Sequence, residues 1–83
     1  MIKGDIEFIY SHINKRHELH TRRMKPDGEY ARQTIAYFTE HREGYDMTTI
    51  GQRFFIDDDA WIVAKHALEF LDALKEAEDE EEL

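Results

Sequence analysis

The residues of this sequence best suited to binding chemistry are carboxylates concentrated in its second half. Residues 43–83 carry thirteen acidic and three basic side chains, whereas residues 1–42 carry six acidic and eight basic ones. The net charge of the whole chain is −8. Carboxylates held at helical spacing would form a fixed row of negative charge that attracts a basic surface. The candidate partner-binding residues are Asp57, Asp58, Asp59, Glu69, Asp72, Glu76 and Asp79.

A row of carboxylates on a rigid helix can imitate the phosphates of a nucleic-acid duplex. The leading hypothesis is therefore a non-enzymatic interaction protein whose partner is a protein with a basic surface. Its most concrete form is a DNA-mimicking inhibitor of the phage-like kind that mobile elements encode, which occupies the nucleic-acid-binding surface of a larger host enzyme. The other interpretation of the same residues is a solubilising surface.

A second cluster is basic and lies in the first half of the chain. It comprises Lys15, Arg16, Arg22, Arg23 and Lys25. On the helix predicted here these side chains spread around much of the circumference, although the end of that helix would still be basic. The alternative function is therefore a small nucleic-acid-binding regulator that uses the basic end of this helix. Cations near a helix C-terminus are also stabilised by the helix dipole, which accounts for them without a ligand.

The sequence contains few residues in patterns suited to catalysis or metal binding. His17 and His20 could share a helix face, but two nitrogen ligands do not complete a site and the chain has no cysteine. Ser11 is the only serine, and no glycine-rich phosphate loop is present. We therefore predict no enzyme activity, no metal and no cofactor.

The spacing of apolar residues favours an all-α fold, a small bundle of three long helices. Helix 1 is predicted at 5–24 and helix 2 at 28–43, separated by the proline-containing break at 25–28. Helix 3 begins at one of the aspartates in 57–59 and continues to about residue 78. Residues 46–56 fit either a short helix or an extended segment, so an α+β fold with a short hairpin or strand there is the alternative.

The same patterns predict one helical domain over residues 1–75 and an acidic, frayed C-terminal tail over 76–83. A domain this small gains stability from self-association, so we expect a homodimer. Its candidate interface residues are the aromatic Tyr37, Phe54, Phe55 and Trp61. The absence of cysteine and of any long apolar run predicts a cytoplasmic protein without a membrane segment.

Overall fold

The computed structural model describes residues 2–56 and 58–81, and the side chains up to residue 78. Its strands are β1 (Ile2–Lys3), β2 (Ile6–Ser11), β3 (Arg16–Met24), β4 (Tyr30–His41) and β5 (Gly44–Thr49). A short 3-10 helix at Gln52–Phe55 then leads to the helix α1 (Asp58–Glu81). Successive strands pair antiparallel in chain order and form a curled half-barrel.

The prediction of an all-α bundle of three long helices is wrong, because predicted helices 1 and 2 are strands. Residues 5–24 contain β2, a turn and β3, and residues 28–43 contain β4. The error has a physical reason. Two residues four positions apart share a face of both a helix and a strand, as Ile6 and Tyr10 do, so their spacing alone does not separate the two structures.

The predicted break at 25–28 is a turn, but it joins two strands. The backbone N–H of Gly28 donates to the carbonyl of Lys25 at 3.0 Å, and that of Lys25 donates to the carbonyl of Glu29 at 2.7 Å. Gly28 has a φ of 88°, in the left-handed region where a side chain is disfavoured. The Pro-Asp-Gly sequence therefore closes a β-hairpin between β3 and β4.

The ambiguous segment 46–56 combines a strand with a short helix. Its first residues belong to β5, and the 3-10 helix follows at Gln52–Phe55. Between them, the backbone N–H groups of Ile50 and Gly51 both donate to the carbonyl of Ile35, at 2.8 and 2.9 Å. This double contact ends β5 and turns the chain towards α1.

The core lies between α1 and one face of the sheet, which we call the inner face. An irregularity in pairing beside Leu19 lets both Ile35 and Ala36 of β4 point inwards. Such bulges increase the local twist of a sheet, which favours the curl around the helix. The buried apolar residues are Ile6, Leu19, Ile35, Ala36, Phe38, Phe55, Ala60, Val63, Ala64, Ala67 and Leu71.

The predicted third helix corresponds to α1, and its buried positions repeat at three- and four-residue intervals as in an amphipathic helix. The helix includes residues 76–81 of the predicted tail, while residues 82 and 83 lie outside the described part of the chain. Within residues 2–56 and 58–81, no helix has the length and apolar character needed to cross a membrane.

Candidate functional site

The face of the sheet opposite α1, which we call the outer face, carries a two-layer arrangement of charged side chains. Side chains alternate along a strand, so Arg16 and Arg22 of β3 point away from buried Leu19. Arg22 pairs across the sheet with Arg32 of β4. These three arginines lie over two carboxylates, Glu7 and Glu18.

Glu18 is the most deeply covered charge on the outer face. Its side chain is 1% exposed, and its carboxylate accepts hydrogen bonds from Arg16 Nε at 2.7 Å and Asn14 Nδ2 at 3.0 Å. Its other oxygen lies 2.7 Å from His20 Nε2. Burial alone raises the pKa of Glu18, but the hydrogen bonds from His20, Arg16 and Asn14, with the charge of Arg16, outweigh it. The pKa is therefore below its ordinary value and Glu18 is an anion at neutral pH.

Glu7 has the same role further along the sheet. Its side chain is 10% exposed, with one oxygen 3.3 Å from Arg32 Nε and the other 3.5 Å from Arg22 Nη1. Arg32 is twenty-five residues away in sequence, so only the pairing of β2, β3 and β4 brings it to Glu7. One carboxylate thus orients two guanidinium groups from neighbouring strands.

Two tyrosine rings are in contact with guanidinium groups of the outer face. The Arg16 guanidinium carbon is 3.9 Å from the centre of the Tyr37 ring, and that of Arg22 is 4.2 Å from the centre of the Tyr30 ring. Arg22 Nη2 also donates to the Tyr30 hydroxyl at 3.1 Å. Such contacts fix the direction of a long, flexible side chain. Because the tyrosines already fix the directions of the arginine side chains, ligand binding would require little further ordering of these arginines.

His20 contacts polar side chains of two strands of the outer face, β3 and β4. Its Nε2 lies between Glu18 Oε1 and the Thr34 hydroxyl, which is 3.1 Å away. Its Nδ1 is buried and has no hydrogen-bond partner among the described residues. With a proton on Nε2, the ring donates a hydrogen bond to Glu18.

The five predicted basic residues separate in the structure. Arg16 and Arg22 lie on the outer face, whereas Arg23 points the other way into a groove described below. Lys15 lies in the turn before β3, with a φ of 56°. Lys25 follows β3, and its Nζ lies 3.8 Å from Asp27 Oδ2 and 3.7 Å from Glu29 Oε2. Only two of the five thus belong to the arginine layer.

Sequence reasoning missed other members of this site. Arg32 and Tyr30 belong to the exposed layer, and Glu7 and Glu18 to the layer beneath it. The alternation of charged residues in β3 was the available signal, because residues two apart in a strand share one face.

Four of the predicted acidic residues lie on the side of α1 that faces away from the sheet. Asp58, Glu69, Asp72 and Glu76 are exposed, and their spacing places them within one stripe of the helix, interrupted by Lys65. Asp59 is half-buried. Asp57 and the side chain of Asp79 lie outside the described residues.

A groove of about 820 Å³ between the sheet and the start of α1 is lined by both acidic and basic residues. Asp58 and Asp59 share it with Arg23 and Arg53. The beginning of the helix is therefore not a purely negative surface. Three exposed carboxylates further along α1 are Glu69, Asp72 and Glu76, which we call the acidic stripe.

The predicted interface aromatics have different environments. Phe55 is buried in the core, Phe54 is half-buried against it, and Tyr37 lies under Arg16 on the outer face. Trp61 is exposed, although its Nε1 donates to the carbonyl of Phe55 at 2.7 Å. Two further exposed apolar side chains of α1, Phe70 and Leu74, were not anticipated.

The histidines do not form a metal site within the described residues. His17 and His20 lie on opposite faces of β3, because they are an odd number of residues apart in a strand. Burial lowers the pKa of His17, whose ring stacks 5.4 Å from that of Phe8. Residues 2–56 and 58–81 contain no cluster of three or more possible metal ligands.

Comparison with protein-family models, with curated proteins and with solved structures finds no match to this chain.

Proposed function

We propose that the outer face of the sheet binds single-stranded nucleic acid. The observation that carries this proposal is the order of its two layers. The arginines are the exposed layer, with side chains 36%, 29% and 46% exposed for Arg16, Arg22 and Arg32, whereas the carboxylates beneath them are almost covered. A ligand approaching this face therefore meets guanidinium groups first.

Guanidinium groups bind phosphate through paired N–H donors, and aromatic side chains stack on bases that have no base-pairing partner. Tyr30 and Tyr37 provide such rings beside the arginines. Arg16 and Arg22 are six residues apart on one strand, which is about 20 Å at the usual rise of an extended chain. That distance suits a strand of several nucleotides lying along β3.

The negative charge of the whole chain does not oppose this proposal strongly. The exposed carboxylates Asp58, Glu69, Asp72 and Glu76 lie on the side of α1 that faces away from the sheet, and a helix is about 10 Å thick, more than the screening length of about 8 Å at physiological salt. The acidic stripe would instead orient the protein, with the outer face towards the nucleic acid.

The test is fluorescence anisotropy with labelled DNA and RNA of about 12 nucleotides, single-stranded and duplex, over a range of salt. We expect single strands to bind more tightly than duplexes. If the three arginines each contact a phosphate, the logarithm of the binding constant falls with the logarithm of salt with a slope of about −2. Absence of binding at low salt would refute the proposal.

Two variants locate the interaction. Tyr30→Leu keeps every outer-face ion pair and removes a stacking ring, so we expect roughly tenfold weaker binding, since one stacked base contributes about 1–3 kcal/mol. The combined variant Arg16→Gln, Arg22→Gln and Arg32→Gln should flatten the salt dependence. Its matched control removes three positive charges elsewhere, at Arg42, Arg53 and Lys65. An equal loss in both triple variants would indicate net charge rather than the outer face.

A DNA-mimicking inhibitor that binds a basic protein surface is the second candidate. The exposed carboxylates Glu69, Asp72 and Glu76 on one stripe of α1 favour it. In this case the chain would displace DNA from a basic enzyme and would itself retain no labelled strand. Replacing the three carboxylates by their amides should abolish the displacement and leave any binding by the outer face unchanged.

We further propose that the protein forms a homodimer and is located in the cytoplasm. Phe70 and Leu74, four positions apart on α1, are exposed apolar side chains that a second copy could cover together, whereas Trp61 lies on another side of the helix. Sedimentation equilibrium at micromolar concentration tests the dimer, and a monomer there would remove it.

A further inference from the structure

The sheet divides into two branches at one end. The pairing of β3 with β4 ends at Glu18 and Tyr37, whereas β2 and β3 stay paired to Ser11 and Arg16. β4 and β5 likewise stay paired to the end of β4 at His41. The two hairpin ends therefore separate, and a cleft of about 450 Å³ lies between them.

The cleft passes between the strands from the outer face towards the inner face. Arg16 and Tyr37 lie on its outer side, while Tyr10, Phe38 and Tyr45 line its inner side. Its remaining lining residues are Lys15, His17, Thr39 and Glu40. The volume is within the range of sites for small organic molecules, and an aromatic lining suits a flat ring.

Glu40 is the acidic residue of this cleft. Lys75 Nζ of α1 donates to its Oε1 at 2.8 Å, and the Tyr45 hydroxyl donates to its Oε2 at 3.4 Å. The Lys75 contact lowers the pKa of Glu40, so its side chain is an anion. Each carboxylate oxygen has a second lone pair, so both can accept a further hydrogen bond while these two partners stay in place.

We propose that the cleft takes up one base of the bound strand and that Glu40 makes it select guanine. This inference rests on the proposed function, because the strand on the outer face delivers the base. Guanine presents two adjacent N–H donors, at N1 and N2, which match the two oxygens of a carboxylate. Adenine and cytosine place a ring acceptor beside the amino group, and thymine has one N–H between two carbonyls, so each of them sets a lone pair against Glu40.

The rest of the cleft fits the same ligand. Tyr37 lies at its outer opening under the Arg16 guanidinium, and Lys15 is next to it in the turn before β3. These two cations lie where the phosphate of an inserted nucleotide would remain, at the outer surface. The base would then stack between tyrosine rings, and its polar edge would reach Glu40.

The experiment compares oligothymidylate of about 12 nucleotides with strands of equal length that carry one central guanine, adenine or cytosine. Binding is measured by anisotropy for the unmodified protein and for Glu40→Gln. We expect the guanine strand to bind roughly tenfold more tightly than the others, and Glu40→Gln to lose this preference while binding oligothymidylate as before. Glu43→Gln, an exposed carboxylate in the neighbouring β4–β5 turn, is the matched control and should keep the preference.

Three results would overturn the inference in distinguishable ways. Equal binding of all four strands refutes base selection but leaves the proposed function standing. A guanine preference that persists in Glu40→Gln refutes the role of Glu40. No binding to any strand refutes the proposed function together with the inference.

Discussion

Replacement of Glu18 by glutamine tests whether the covered carboxylate holds the outer face together. The side chain keeps its size but loses its charge and one acceptor, while Arg16, His20 and Asn14 all still present donors to it. Hydrogen bonds to a charged group contribute about 1.5–3 kcal/mol each, and a donor left without a partner adds a further cost. Because Arg16 is partly exposed and can regain water, we expect a loss of about 2 kcal/mol.

That loss is a large share of the stability expected for this chain. A domain of 83 residues has a free energy of unfolding of roughly 4–12 kcal/mol. Urea titration followed by the fluorescence of the single tryptophan measures it directly. Trp61 packs 5.1 Å from the ring of Phe55 and donates to its carbonyl, so its emission should change when the core opens.

The pH dependence gives an independent check with a definite sign. The pKa of Glu18 is lower in the folded chain than in the unfolded one, so its contribution is present above the unfolded pKa and is lost as the pH falls through the folded pKa. The difference in unfolding free energy between the unmodified protein and Glu18→Gln should therefore shrink as the pH falls below the ordinary glutamate pKa of about 4.3 and through the lower pKa of the folded chain.

The control is Glu43→Gln, which alters an exposed carboxylate in the β4–β5 turn and should change the stability by less than about 0.5 kcal/mol. A Glu18→Gln variant as stable as this control would refute the reasoning. So would a loss of stability that stays constant as the pH is lowered.

Two further predictions concern packing and backbone conformation. Leu71→Ala should lower the free energy of unfolding by about 3 kcal/mol in urea titration, because Leu71 is fully buried between α1 and the sheet; Leu74→Ala, at an exposed position of the same helix, should cost less than about 1 kcal/mol. Gly4→Ala should reduce the melting temperature more than Gly28→Ala, since both have positive φ but a Cβ at Gly4 would lie 2.7 Å from Asp59 Oδ2, whereas one at Gly28 meets no atom within 4 Å. Equal shifts for the two glycines would show that the contact with Asp59 relaxes freely, and a Leu71→Ala variant no less stable than Leu74→Ala would contradict the core assignment.

The sequence was most informative where the pattern was long or the local chemistry strong. The buried positions of α1 repeat with helical period from Ala60 to Leu71, which a strand cannot imitate over that length. The Pro-Asp-Gly turn was recognisable because proline and glycine restrict the backbone locally in any fold. The division of charge along the chain could be read directly from the residues.

The sequence misled over β2, β3 and β4, and the reason is clearest at β3. β3 has nine residues, and Leu19 is its only fully buried apolar side chain, so it lacks the alternation of apolar and polar residues that normally marks a strand. Most of its other positions carry arginine, histidine and glutamate, and two of these side chains have partners on the neighbouring strands: Arg22 contacts Glu7 of β2, and His20 contacts Thr34 of β4. Such a strand is stabilised by contacts that do not exist until the sheet forms.

By itself, then, the sequence determined the C-terminal helix, the turn at 25–28 and the unequal charge of the two halves, all of which depend on neighbours within a few residues. Only the tertiary structure decided that the basic half is a sheet and which of its charges meet. Glu7 contacts Arg32 across twenty-five residues, and the pairing register of three strands sets that contact. A shift of that register by one residue would turn the arginines to the other face, so the candidate site is a property of the pairing and not of any one segment.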